Sequence, residues 1–187
     1  MRIKRVVSKH RLGDPRVKEE DREYWSGKSP AERVEAVEFL RKQYYRDRGD
    51  FEELFRLFNS QGVEYVIVGA YALAYHGVPR NTTDLDIFIK PDRGNARRVQ
   101  TVLCGFGLRE ADLSVSDLCR PRSIIRIGEP PLRIDLMTSL SGVSWHEAWV
   151  DRVEGSYRRI PVYFLGRETF IASKRSAGRL RDRADLA

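Results

Sequence analysis

The apolar positions of the chain fall into short blocks whose spacing alternates between helical and extended periods. Ser29-Pro30-Ala31-Glu32 reads as a helix start, with Ser as N-cap, Pro at the first helical position and Glu closing a capping box. Val34, Val37, Leu40 and Tyr44 then recur at helical spacing, which predicts a helix over 30–47 that ends at Gly49. A second helix begins at Asp50, carries Phe51, Leu54, Phe55, Leu57 and Phe58 on a broad apolar face, and stops at Gly62. The run Val63-Glu64-Tyr65-Val66-Ile67-Val68 is β-branched and apolar and predicts a buried strand, broken by Gly69. Ala70 to Tyr75 reads as a short helix closed by His76-Gly77, and Pro79-Arg80-Asn81 as a turn. Thr82 to Ile89 alternates and ends apolar, as a second strand does.

Further on, 93–104 is helical, 123–127 and 132–137 form a hairpin around Gly128-Glu129-Pro130-Pro131, and 145–150 is a short helix. A last strand covers 160–165, and from Arg167 the chain is helical and basic, with an interruption near Gly178. Residues 1–28 are polar, lack apolar periodicity and read as an extended arm. This order predicts an α/β (α+β) fold: a small mixed β-sheet flanked by helices, stacked on one side as a sandwich. The expected division is a basic N-terminal arm and helix over 1–48 and the main domain over 49–187.

Composition narrows the class. With 187 residues and 41% hydrophobic content the chain suits one domain and a short appendage. The net charge is +7, and the first 48 residues, with fourteen Lys/Arg against nine Asp/Glu, supply +5 of it. Such an excess favours anionic partners such as nucleotides or RNA, although a solvated basic surface accounts for it equally well. No apolar run approaches the roughly 20 residues of a membrane span. The basic N-terminus is followed by no hydrophobic stretch, against a secretory signal. Cys104 and Cys119 are too few for a disulfide framework and read as reduced thiols, which suggests a cytoplasmic protein.

The candidate chemistry lies in three carboxylates. Asp84 and Asp86 are one residue apart on a predicted strand, so they share a face while Leu85 and Ile87 enter the core. Two like charges on one face repel unless a cation lies between them, and carboxylate oxygens suit Mg²⁺ or Mn²⁺. Asp135 repeats the pattern in Leu132-Arg133-Ile134-Asp135-Leu136-Met137, on the same side as Arg133 and Met137. A third carboxylate on a neighbouring strand would complete a two-metal site. The turn Val68-Gly69-Ala70 joins strand to helix, where free backbone N–H groups attract phosphate.

The run Val68-Gly69-Ala70-Tyr71-Ala72-Leu73-Ala74-Tyr75-His76-Gly77, followed by Arg80-Asn81-Thr82-Thr83-Asp84-Leu85-Asp86, resembles the DNA polymerase β-like nucleotidyltransferase superfamily. It looks most like its small prokaryotic members, including those similar to abortive-infection toxins. The resemblance continues through Arg133 to Ser139 and Lys174 to Asp185, and so covers roughly 50–187. It implies that Asp84 and Asp86 hold the metals and that Asp135 serves the attacking hydroxyl as ligand or base. It further implies that Gly69, Ala70 and the following backbone hold the triphosphate, Lys174 reaches the phosphates, and Thr83 helps to position them. The family's turn usually carries Gly-Gly or Gly-Ser, whereas Gly69-Ala70 lacks the hydroxyl.

The implied activity is transfer of NMP from an NTP to a hydroxyl of RNA (a tRNA end), a protein or a small molecule such as an aminoglycoside. A toxin-like role is implied in the same way, with a cognate partner protein as its counterpart, while residues 1–48, outside the resemblance, are expected to pack internally or in a homodimer. The alternative is a catalytically degenerate nucleotide-binding protein or toxin–antitoxin partner. Arg80 suits phosphate or a turn equally. His76 reads as a C-cap or packing residue, Asp182 and Asp185 as caps or bridges to nearby arginines, and Trp145 with Trp149 as one packed helical face.

Overall fold

The computed structural model describes residues 15–45, 51–82, 84–105, 113–128 and 133–186. The helix predicted over 30–47 forms as α2 (Pro30–Tyr45), after an earlier helix, α1 (Pro15–Ser26). The capping box closes as read: the Ser29 N–H donates to Glu32 at 2.8 Å, and the Glu32 N–H donates back to Ser29 Oγ at 3.3 Å. The segment taken for an extended arm is thus partly helical. Pro15 sits at the first helical position, where its missing N–H costs nothing, and the following Lys, Glu and Arg residues are strong helix formers.

The next elements follow the expected order: α3 (Glu52–Ser60), β1 (Tyr65–Ile67), α4 (Gly69–His76), β2 (Asp84–Ile89) and α5 (Arg93–Gly105). A short α6 (Val115–Cys119) precedes the hairpin of β3 (Ile124–Ile127) and β4 (Arg133–Met137). Then come α7 (Trp145–Val150), β5 (Val153–Tyr157), β6 (Ile160–Phe164), α8 (Arg167–Ala177) and α9 (Leu180–Leu186). The break between α8 and α9 is a left-handed Gly178 (φ +64).

The six strands form one mixed sheet in the order β3-β4-β2-β1-β6-β5. At its centre β2 runs parallel to β4 and antiparallel to β1, and β1 runs parallel to β6. One face, with Tyr65, Ile67, Leu85, Ile87 and Ile89 almost fully buried, packs under α3, where Phe55 and Phe58 meet Tyr65 at ring distances of 5.8 and 5.2 Å. Helices are not confined to that side. Trp145 of α7 meets Phe88 edge-on at 5.1 Å, and Phe88 lies on the opposite face, so the sandwich expectation needs correcting to a sheet with helices on both faces.

α2 is packed into this body. Val34 and Val37 are buried, and Arg33 donates to the carbonyls of Ala74 (2.9 Å) and Tyr75 (2.6 Å), which fixes α2 against the C-terminal end of α4.

Candidate active site

On the sheet face that carries Phe88, alternation places Asp84 and Asp86 outward from β2 and Asp135 outward from β4. Parallel pairing sets Asp86 directly beside Asp135, and Asp84 beside Arg133. Each of the three carboxylates offers an oxygen within 4.8 Å of the others. They lie on the floor of a cleft of about 1070 Å³ that Gly69, Arg80, Trp145, Lys174 and Arg181 also line.

The three are not equivalent. Asp84 accepts from Thr82 Oγ1 at 2.7 Å and makes a close ion pair with Arg133. Burial pushes its carboxyl up, but Thr82, Arg133 and the charge of Arg181 outweigh that and hold it below the usual range. Asp135, 6% exposed, takes Arg126 Nε at 3.1 Å and lies 3.5 Å from Arg133 Nε. The Asp86 carboxylate accepts no hydrogen bond among the described residues. Burial, then the charges of Asp84 and Asp135, push it up to about 6, against the weaker pull of Arg80 and Lys174.

Gly69 explains how Asp86 fits. Its φ is +63, and a Cβ there would stand 1.9 Å from Asp86 Oδ2. Only glycine satisfies both the left-handed backbone and that approach. The side chain of Ala70 is buried, away from the cleft, so a role for this residue would fall to its backbone. Thr83 lies outside the described residues.

Lys174, on α8, faces the cleft. Its Nζ donates to Asp182 Oδ1 at 2.8 Å and Asp185 Oδ2 at 2.7 Å on α9. Arg80 Nε reaches the other oxygen of Asp185 at 3.2 Å, while its buried Nη1 has no hydrogen-bond partner among the described residues. Asp185 meets Arg80 and Asp182 meets Arg179, the arginine bridges expected, and both also share Lys174, which the sequence reading assigns to phosphate. His76 also packs as read, its Nε2 lying 2.6 Å from the carbonyl oxygen of Leu165.

The sequence reading missed Arg126 and Arg133 as partners of the triad. Arg133 shares the face of Asp135 by alternation, and the hairpin register sets Arg126 opposite Asp135. The pairs of Arg133 with Asp84 and of Arg126 with Asp135 both depend on strand register, which a single sequence lacks.

The donor set is chemically suited to a divalent cation: three carboxylates converge, one of them short of positive partners. A mixed sheet with this triad on its parallel central strands, beside a strand–glycine–helix turn, defines a nucleotidyltransferase-like fold. The chain is indeed similar to the crystal structure of a putative nucleotidyltransferase from Thermotoga maritima. The two share 16% identity over 78% of this chain and 91% of that one, with a TM-score of 0.50, a likeness of fold. No protein-family model and no curated protein matches the chain.

Proposed function

We propose that the protein is a metal-dependent nucleotidyltransferase that moves NMP from an NTP to a hydroxyl of RNA. The convergence of Asp84, Asp86 and Asp135 on one cleft floor carries this reading. Asp84 and Asp86 would hold Mg²⁺ or Mn²⁺, with Asp135 completing the site, and the bound ion would neutralise phosphate charge and favour ionisation of the attacking hydroxyl.

The chain's own groups supply the rest. The acceptor oxygen forms a bond to the α-phosphorus, the bond from that phosphorus to pyrophosphate breaks, and the hydroxyl proton passes to a carboxylate oxygen of Asp135. Lys174 and Arg80, the latter with an unsatisfied Nη1 at the cleft, face the charge that develops on the departing pyrophosphate. Gly69 lets Asp86 stand against the helix N-terminus without obstruction. Arg126 and Arg133 pair with Asp135 and Asp84 and offset part of the triad's charge.

The rim of the cleft supports RNA as the acceptor. Arg122, Arg126, Arg179 and Arg181 are exposed around it, and Arg122 holds a left-handed φ of +55 that L-residues adopt at a cost. Such a rim attracts a polyanion and repels a cationic aminoglycoside. A toxin-like role and a cognate partner follow from the family resemblance alone. The degenerate reading is favoured by one observation: arginines already pair with Asp84 and Asp135.

The deciding experiment incubates the protein with Mg²⁺, each α-³²P NTP and total tRNA, beside an Asp84→Ala/Asp86→Ala control. Label moving into RNA only with intact carboxylates is the expected result. Mg²⁺-dependent NTP binding with no labelled product would favour the degenerate protein.

A further inference from the structure

Strand register arranges the outward residues of the cleft floor in three rows. The first pairs Asp84 with Arg133. The second runs Asp86, Asp135, Arg126, and the third runs Phe88, Met137, Ile124. Three charged groups outside the sheet lie towards the first two rows: Arg181 acts on Asp84, and Arg80 and Lys174 act on Asp86. The third row is wholly apolar and offers no strong hydrogen-bonding group. Trp145, half-buried on the cleft wall, stands edge-on to Phe88 at 5.1 Å and 75°. Ile124 is 59% exposed.

We infer that the accessible part of this row, Met137 and Ile124, with Trp145 resting on the buried Phe88 beside them, is the platform for the base of the incoming NTP. The inference rests on the nucleotide reading of the same cleft. Rows on one strand face are about 6.6 Å apart, which is close to the separation of a nucleotide's α-phosphate from its base. A nucleotide is charged at its phosphate end and apolar at its base; the cleft floor presents two charged rows and then an apolar one, in the same order. Stacking without hydrogen-bond readout tolerates every base.

Trp149 is excluded from this role. Its ring stacks on Trp145 at 5.4 Å and is covered by the Arg152 guanidinium at 3.8 Å and by Tyr163 at 5.7 Å. It serves as the support that holds Trp145 in place.

The test uses Trp25→Phe/Trp149→Phe protein, in which Trp145 is the sole remaining tryptophan of the three. In Mg²⁺ it is titrated with ATP, GTP, CTP, UTP and inorganic tripolyphosphate, followed by calorimetry and by fluorescence. All four nucleotides should change Trp145 emission and bind within about tenfold of one another, while tripolyphosphate binds roughly tenfold weaker and leaves emission unchanged. Ile124→Ser, at an exposed position, should weaken every nucleotide roughly three- to tenfold and leave tripolyphosphate unaffected. Nucleotides that bind no tighter than tripolyphosphate, with Trp145 silent, would overturn the platform and leave the nucleotidyltransferase reading standing. No binding of either ligand would overturn both.

Discussion

Two carboxylates that line one cleft, Asp182 and Asp86, behave in opposite ways. On α9, Asp182 and Asp185 meet Lys174 and Arg80 at 2.7–3.2 Å, and Arg179 adds to them. Burial raises the Asp182 carboxyl, but Lys174 and Arg179 outweigh it and hold it below its usual range. On the sheet, Asp86 has no hydrogen-bonded partner for its carboxylate among the described residues, and burial, then its two like-charged neighbours, push it to about 6. Burial acts on both groups, so the balance of local charge decides. The helical group is a finished internal salt bridge that orients Lys174. On the sheet, Asp84 and Asp135 have arginine partners, and Asp86 is the electrostatic deficit that an outside cation would remove.

Stability should therefore respond with opposite signs. Lys174→Met strands Asp182 and Asp185 in a buried position and should destabilise the fold by about 3 kcal/mol. Asp86→Asn should instead stabilise the metal-free protein at pH 7.5. Urea unfolding in EDTA measures both; a stabilising Lys174→Met would make the α9 bridge something other than a structural pair.

The pH dependence follows from the same contrast. Asp86 has a raised folded-state carboxyl, so its contribution to stability is greatest below the unfolded range, near 4, and is lost as pH rises through about 6. Across that window the wild type should lose roughly 3 kcal/mol relative to Asp86→Asn. Saturating Mg²⁺ should abolish the difference. Equal pH profiles for the two proteins in EDTA would show that Asp86 is not strained.

Gly69→Ala should cost about 2 kcal/mol, because it forces a left-handed alanine and drives a methyl into Asp86. It should also weaken Mg²⁺ binding, which a purely local backbone penalty would leave unchanged. Smallest of all, Arg126→Ala, at a side chain 61% exposed, should change stability by under about 1 kcal/mol. It should tighten Mg²⁺ binding a few-fold, since a competing charge leaves Asp135.

Much of this was legible from local pattern. The Ser29 capping box, the β2 and β4 alternation and the strand–Gly69–helix turn depend on residues within a few positions of each other, and each formed at its expected place. The elements that escaped depend on distant partners. β5 is a polar Val-Glu-Gly-Ser-Tyr stretch that becomes a strand by pairing with β6, and Gly155 is packed against Tyr75 and Phe164. α6 rests on a capping box of Ser114 and Asp117 that has few apolar residues behind it. At the candidate site the carboxylates were visible as alternation. Their arginine partners and the apolar row were not, because register across β2, β4 and β3 sets them together. Lys174 was read as a phosphate contact, and its salt bridge to α9 emerges only from the helix pairing.

The central claim, that the triad takes a divalent cation, is tested most directly by titrating the protein with Mn²⁺ at pH 7.5 and following free Mn²⁺ by electron paramagnetic resonance, beside Asp86→Asn. The account predicts binding by the wild type that strengthens with an NTP present and is lost in the variant. Equal binding by both proteins, or none by the wild type with NTP present, would contradict it.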